Sequence, residues 1–156
     1  MAYASPNRSA PLTEMNPNTQ IVNANAMDIG QLLLRLVLGL LMLLHGYGKI
    51  MGGPGPILDL VDKAGLPNAL GYLVYVGEVI APILVIAGIW TRVAAFVIAI
   101  NMIVAVALAH TGQLFSLSPQ GGYALELQAF YLAVAIAIAL LGAGRYSAGG
   151  IAGRWN

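Results

Sequence analysis

Among the 156 residues of this sequence there is no cysteine. That excludes disulfides, thiolate metal sites, cysteine-ligated iron–sulfur clusters and a Cys-x-x-Cys redox pair, so a redox role would need a bound cofactor or a quinone. Charge is nearly as scarce. Seven Lys or Arg and six Asp or Glu make up 8% of the chain, against about 25% in an ordinary soluble domain. A net charge of +1 supplies no basic face, so nucleic acid is not an expected partner. What fills the chain instead is apolar: 59% of residues are hydrophobic and the mean hydropathy is +0.81. This composition belongs to an integral membrane protein.

The stretch from Asp28 to Met51, DIGQLLLRLVLGLLMLLHGYGKIM, organises the rest. Ile29 to Met51 is long enough to cross a bilayer, which takes about 20 apolar residues. It nevertheless carries Arg35, His45 and Lys49. A cation at mid-helix costs about 2.5–3.5 kcal/mol, against a gain of about 0.3–0.6 for each Leu, Ile, Val or Phe. Arg35, Met42 and Lys49 recur every seventh position and His45 precedes Lys49 by one turn, so all four share a face. That face is expected to look at other helices rather than at lipid.

Taken in order, residues 1–27 are rich in Asn, Pro, Ser and Thr and read as a disordered tail, not as a signal peptide. Asp28, with Gln31 three residues on, reads as the N-cap of a first helix over 29–51. GGPGP at 52–56 breaks it, and ILDLVDKAGLPN has the spacing of a short amphipathic helix on the membrane surface, with an ordered polar loop as the alternative. A second span covers 69–90. Gly71, Tyr75, Glu78 and Pro82 form one stripe of it, and Gly77, Ala81 and Gly88 a small-residue stripe suited to close packing. Pro82 frees the carbonyl of Glu78, which predicts a kink beside a buried carboxyl.

A third span over 93–110 holds Asn101 near its middle and His110 at its end, about 180° apart around the axis. One straight helix cannot aim both at the same centre. After a loop at 111–122, a fourth helix is expected over 123–142, with Glu126 in its first turns and Tyr131 deeper. Its AVAIAIAL run alternates as a strand would, but a lone strand in lipid leaves its backbone unpaired, so helix is expected. The glycine-rich remainder, with 148–156 as a C-terminal tail, reads as loosely ordered. The expected fold is an all-α, integral membrane four-helix bundle with a disordered N-terminal tail, its domain spanning 28–147.

Four spans put both termini on one side, with Arg8, Arg92, Arg145 and Arg154. Lys49, Lys63, Asp59 and Asp62 fall on the other. The positive-inside rule then predicts cytoplasmic termini in a cell (inner) membrane. Trp90, Tyr146 and Trp155 would mark the inner interface, and Tyr47, Tyr72 and Tyr123 the outer one.

This topology brings His45, Lys49, Glu78, His110 and Glu126 toward the outer half of the bundle, with Arg35 near the inner side, where it could snorkel. Three readings of the cluster stay open. The ionisable groups pair and only fix helix register. Or they line a pocket for a quinone or another small redox ligand, with a glutamate exchanging protons. Or His45, His110, Glu78 and Glu126 bind a metal. Against that last reading, the Glu-x-x-His spacing of di-iron bundles is missing and Lys49 would repel a cation. A P-loop is rejected, because GYGKIMG lacks the required Lys-Ser/Thr and follows no strand. A channel would require a homo-oligomer.

The succession RLVLGLLMLLHGYGKI, YLVYVGEVIAPILVIAGIWTRVAA, NMIVAVALAH, YALELQAFYLAVA and GAGRYS resembles the DoxX family of small four-helix membrane proteins, over roughly residues 30–147. The resemblance rests on Arg35, Gly39, His45, Gly46 and Lys49, then Glu78, Gly88 and Arg92, then His110, Glu126 and Gly144–Arg145–Tyr146–Ser147. The family often has an acidic residue next, where this chain has Ala148 and Gly149, and Ala143 stands where proline is frequent. The resemblance implies an oxidoreductase or a subunit of one. The family name comes from a subunit associated with thiosulfate:quinone oxidoreduction, and other members are linked to oxidative stress or quinone-type detoxification. The alternative is a non-catalytic membrane anchor for a soluble enzyme.

Overall fold

The computed structural model describes residues 16–119, 121–150, 153, 155 and 156, and these are helical with no strand ladder. Helix α1 (Pro17–Gly52) is followed by the short α2 (Gly55–Lys63). Next come α3 (Asn68–Ala87), α4 (Thr91–Ala109) and α5 (Glu126–Leu141). The helices α1, α3 and α4 are each long and apolar enough to cross a membrane, whereas α5 is a shorter apolar helix. The chain is a membrane protein. Trp90, Tyr146 and Trp155 at the end near the termini are exposed, as are Tyr47, Tyr72 and Tyr123 toward the other, the distribution expected of two interfacial belts.

Helix α1 starts eleven residues before the expected Asp28. Asn16 caps it by accepting from the Asn18 amide, and Pro17 occupies the first turn, where its missing N–H costs nothing. Residues 16–27 of the expected tail are therefore α1 and its cap, while 1–15, including Arg8, lie outside the described residues. Asp28 and Gln31 are not a capping box. The Asp28 carboxylate accepts from the Arg145 amide at 2.9 Å, and Gln31 Nε2 donates to the Leu141 carbonyl at 3.0 Å. Both tie α1 to the end of α5.

The second span is composite. It opens as a 3₁₀ turn (Asn68–Tyr72), passes through Leu73–Tyr75, widens to a π-helix at Val76–Ile80 and closes as α-helix Ala81–Ala87. Pro82 has no N–H to give, and the ladder loosens over the residues before it. The span ends at Ala87, not Trp90. Gly88 turns left-handed (φ 71°), its N–H reaches Leu84 and Val85, and Ile89 N–H returns to Leu84 at 3.0 Å. Helix α4 then begins at Thr91 and α5 ends at Leu141, close to expectation.

Two kinds of contact hold the bundle. α4 and α5 pack along most of their length through Ala94, Ala95, Ile98, Ala99 and Met102 against Tyr131, Ala135 and Ile138. α1 meets α3 through glycines: a Cβ on Gly39 would strike Ile86, and one on Gly46 the Glu78 carbonyl. The short α2 turns Val61 inward, places Leu58 against Gly71 and leaves Asp59, Asp62 and Lys63 exposed, so its amphipathic spacing forms a helix rather than a polar loop.

The segment after α5 is docked rather than loose. Ala143 is buried, Ala148 N–H bonds Ala87 and Gly149 N–H bonds Gly88. Arg92 donates from Nη1 to the Ala139 and Leu140 carbonyls and from Nε to Asn156 O, closing the C-terminus of α5. A helix end must satisfy its last carbonyls, and here that need recruits the glycine-rich segment. Residues 151, 152 and 154 lie outside the described set.

Candidate functional site

Arg35 does not snorkel. It is 1% exposed, and its guanidinium is enclosed by backbone carbonyls. Nε donates to Val85 (2.8 Å), Nη2 to Ile86 (2.8 Å), and Nη1 to Ala143 (2.6 Å) and Tyr146 (2.8 Å). Four partial negative charges, two from the end of α3 and two from the segment after α5, replace water around the cation. Gly88 leaves the room, since a Cβ there would meet the guanidinium and Ser147. This is a clasp that joins α1, the end of α3 and the segment after α5.

The second buried ionisable group is Glu78, 2% exposed and set in the π-helical part of α3. Lys49 Nζ forms an ion pair with its Oε1. Asn101 Nδ2 donates to the same oxygen at 3.4 Å. Three helices contribute, and glycines let them approach. Gly46 lies against the Glu78 backbone, and Gly77 faces the Asn101 side chain, where a Cβ would collide. Tyr75 Oη donates to the Lys49 carbonyl at 3.3 Å, tying α3 to the end of α1.

Among the described residues, Glu78 Oε2 is the one buried side-chain oxygen or nitrogen without a hydrogen-bond partner. Leaving such a group unmade costs about 1–3 kcal/mol, and more if charged. Both donors crowd one carboxylate oxygen while the other is bare. The bare atom is an acceptor for a hydroxyl or a water, and a place to put a proton. Lys49, with its side chain 34% exposed, connects the pair toward the end of the bundle that carries α2.

The remaining expected site residues stand apart. His45 is one turn from Lys49, but it is exposed. Its Nδ1 lies 2.9 Å from the Leu41 carbonyl, and its ring meets Tyr131 edge-on, centroids 5.6 Å apart at 86°. His110 ends α4 and bonds Gln113 at 3.2 Å, so the opposite placement of Asn101 and His110 resolves by Asn101 facing Glu78. Glu126 begins α5, exposed, folded toward Gly122. Among the described residues no three His, Cys, Asp or Glu form a group that could hold a metal ion, so the two histidines and two glutamates are not gathered. Asn101 is the site residue that the sequence reading left out. An uncharged polar side chain at mid-span opposite a glycine was its signal.

Two clefts lie elsewhere, and neither is lined by Lys49, Glu78 or Asn101. One, about 210 Å³ and polar, lies among Asp28, Gln31, Arg92 and Asn156 near the termini. The other, about 220 Å³ and apolar, lies between α4 and α5 under the 111–125 connection.

Residues 30–111 match the family model described as DoxX. The protein named "Putative oxidoreductase CatD" of Bacillus subtilis (strain 168) is 30% identical over 109 residues, covering 70% of this chain and 81% of that relative. No solved structure matches.

Proposed function

Since this chain belongs to the DoxX family, we propose that it is the membrane component of a quinone-linked redox or detoxification system, with Lys49, Glu78 and Asn101 as its proton-handling site. The observation that carries this is the bare, buried Oε2 of Glu78 beside a cation. It fits the hydroxyl of a reduced ring, which needs an acceptor that carries no competing donor. A bound quinone would supply the two-electron, two-proton couple. The chain's own residues do the rest. Glu78 takes or returns a proton at Oε2, Lys49 balances the charge at Oε1, and Asn101 holds the carboxylate plane. His45, His110 and Glu126 sit at or beyond the rim and serve proton passage or access rather than contact with the ring.

The same reading places the protein in the cell (inner) membrane, with both termini cytoplasmic. Arg92 and Arg145 lie at the end with the termini, and Asp59, Asp62 and Lys63 at the opposite one.

The test is binding and quinone-linked turnover in proteoliposomes, with and without Glu78→Gln. Loss of turnover with the fold retained supports the site, and wild-type turnover together with unchanged quinone binding in the variant rejects it. A second reading, the non-catalytic anchor, is favoured by the start of α1. Pro17–Met27 precedes the Asp28 contact to Arg145 and exposes Ile21 and Val22. A stoichiometric soluble enzyme captured in mild detergent, with no quinone bound, would select it.

A further inference from the structure

The two connections at the end of the bundle away from the termini differ in chemistry. The one between α1 and α3 presents Asp59, Asp62 and Lys63 to water. The one between α4 and α5, TGQLFSLSPQGGYAL at 111–125, contains no Asp, Glu, Lys or Arg. Yet it holds Phe115 fully exposed and Leu117 74% exposed. In water those side chains would forfeit roughly 1.5–3 kcal/mol each relative to burial.

The short α5 gives this loop a reason. Sixteen residues rise about 24 Å, some 6 Å less than the roughly 30 Å hydrocarbon layer that the other spans cross. The missing thickness falls where 111–125 lies, because α5 ends at Leu141 beside Gln31 and Arg92 at the opposite end. The loop is also built to leave water. Several of its amides are satisfied locally: Ser116 N–H on Gln113 O, Ser118 on Gly122, Gly121 on Ser118 and Ala124 on Ser116, all at 2.7–3.1 Å. Tyr123 Oη donates to Leu114 O at 2.9 Å. Backbone groups that bond one another give up less on leaving water than unpaired ones. Beneath it, the apolar cleft lined by Met102, Val106, Leu114, Tyr123 and Leu125 continues into the exposed Ile103 and Val104 of α4.

We propose that the 111–125 connection is a membrane-inserted loop, with Phe115 and Leu117 seated in the lipid interface so that α5 and loop together complete the fourth span. The lipid is favoured over a protein partner because the patch is uncharged, continuous with the apolar sides of α4, and set where the helix falls short. This does not depend on the quinone reading.

The chain's lack of cysteine makes a direct test simple. Single-cysteine variants Phe115→Cys, Leu117→Cys and Lys63→Cys of the full chain are spin-labelled and reconstituted in vesicles of phosphatidylethanolamine and phosphatidylglycerol. Collision rates are then measured with oxygen, which partitions into lipid, and with a water-soluble nickel complex. The expected result is a reversal of the oxygen-to-nickel preference between position 63 and positions 115 and 117. Labels at both 115 and 117 that collide with nickel as readily as the label at 63 would overturn the proposal. Insertion at 117 alone would still uphold it, since a label replacing Phe115 removes the anchoring ring.

Discussion

Arg35 and Glu78 are both buried ionisable groups in the helical bundle, 1% and 2% exposed, and the fold treats them in opposite ways. Arg35 has no acidic partner among the described residues, yet four carbonyls enclose it. Glu78 has a full countercharge, yet one of its oxygens receives nothing. The difference separates a structural ion from a poised one. A group whose every valence is met by backbone can only hold elements together, whereas a carboxylate left with one open oxygen can still react or bind. Counting charges would rank the two alike, and counting hydrogen bonds does not.

The comparison breaks most violently at Arg35. Arg35→Met abandons four carbonyls, each worth about 1–3 kcal/mol when left unmade. Loss of monodisperse protein on size exclusion in detergent is the expected outcome, and Arg35→Lys should rescue little because a single ammonium cannot replace the fork. Next comes Glu78→Gln, which keeps the shape and removes the proton site. Quinone-linked turnover should fall by about 10²–10⁴ with an unchanged elution profile. Gly77→Ala should cost about 1–3 kcal/mol by pushing Asn101 off Glu78, read as a lower thermal midpoint. Lys49→Met strands the carboxylate, so the double variant Lys49→Met/Glu78→Gln should be more stable than Lys49→Met alone. The coupling from that cycle is expected within about 0.5–3 kcal/mol. Smallest of all, His110→Ala, at the half-buried end of α4, should leave the thermal midpoint of the detergent-solubilised protein at the wild-type value.

Much of this was legible beforehand, and the residues explain why. Spans follow from apolar length, and the face shared by Arg35, Met42 and Lys49 follows from a seven-residue recurrence. The structure buries Arg35 and Met42 and half-buries Lys49 on that face. Pro82 signalled a disturbed helical ladder near Glu78, although its form, a π-helix, was not foreseen. What sequence could not supply is pairing between distant segments. The Val85 and Ile86 carbonyls that fix Arg35 belong to a helix end whose position depends on Gly88 turning left-handed. The Ala143 and Tyr146 carbonyls belong to a glycine-rich stretch that has no periodicity to read. Depth along the bundle pointed to His45, His110 and Glu126 joining Lys49 and Glu78. Rotation around each helix, which depth does not encode, sends them elsewhere.

The Arg35 clasp also has a consequence for how the chain is made. Two of its four acceptors lie 108 and 111 positions further along the chain. When α1 leaves the ribosome, half of what compensates its cation has not been synthesised. At a synthesis rate of about 5–20 residues per second, that cation waits several seconds for its remaining partners. Completion of the clasp therefore waits on the far end of the chain, since a nascent chain that has not yet reached Tyr146 does not carry all four acceptors.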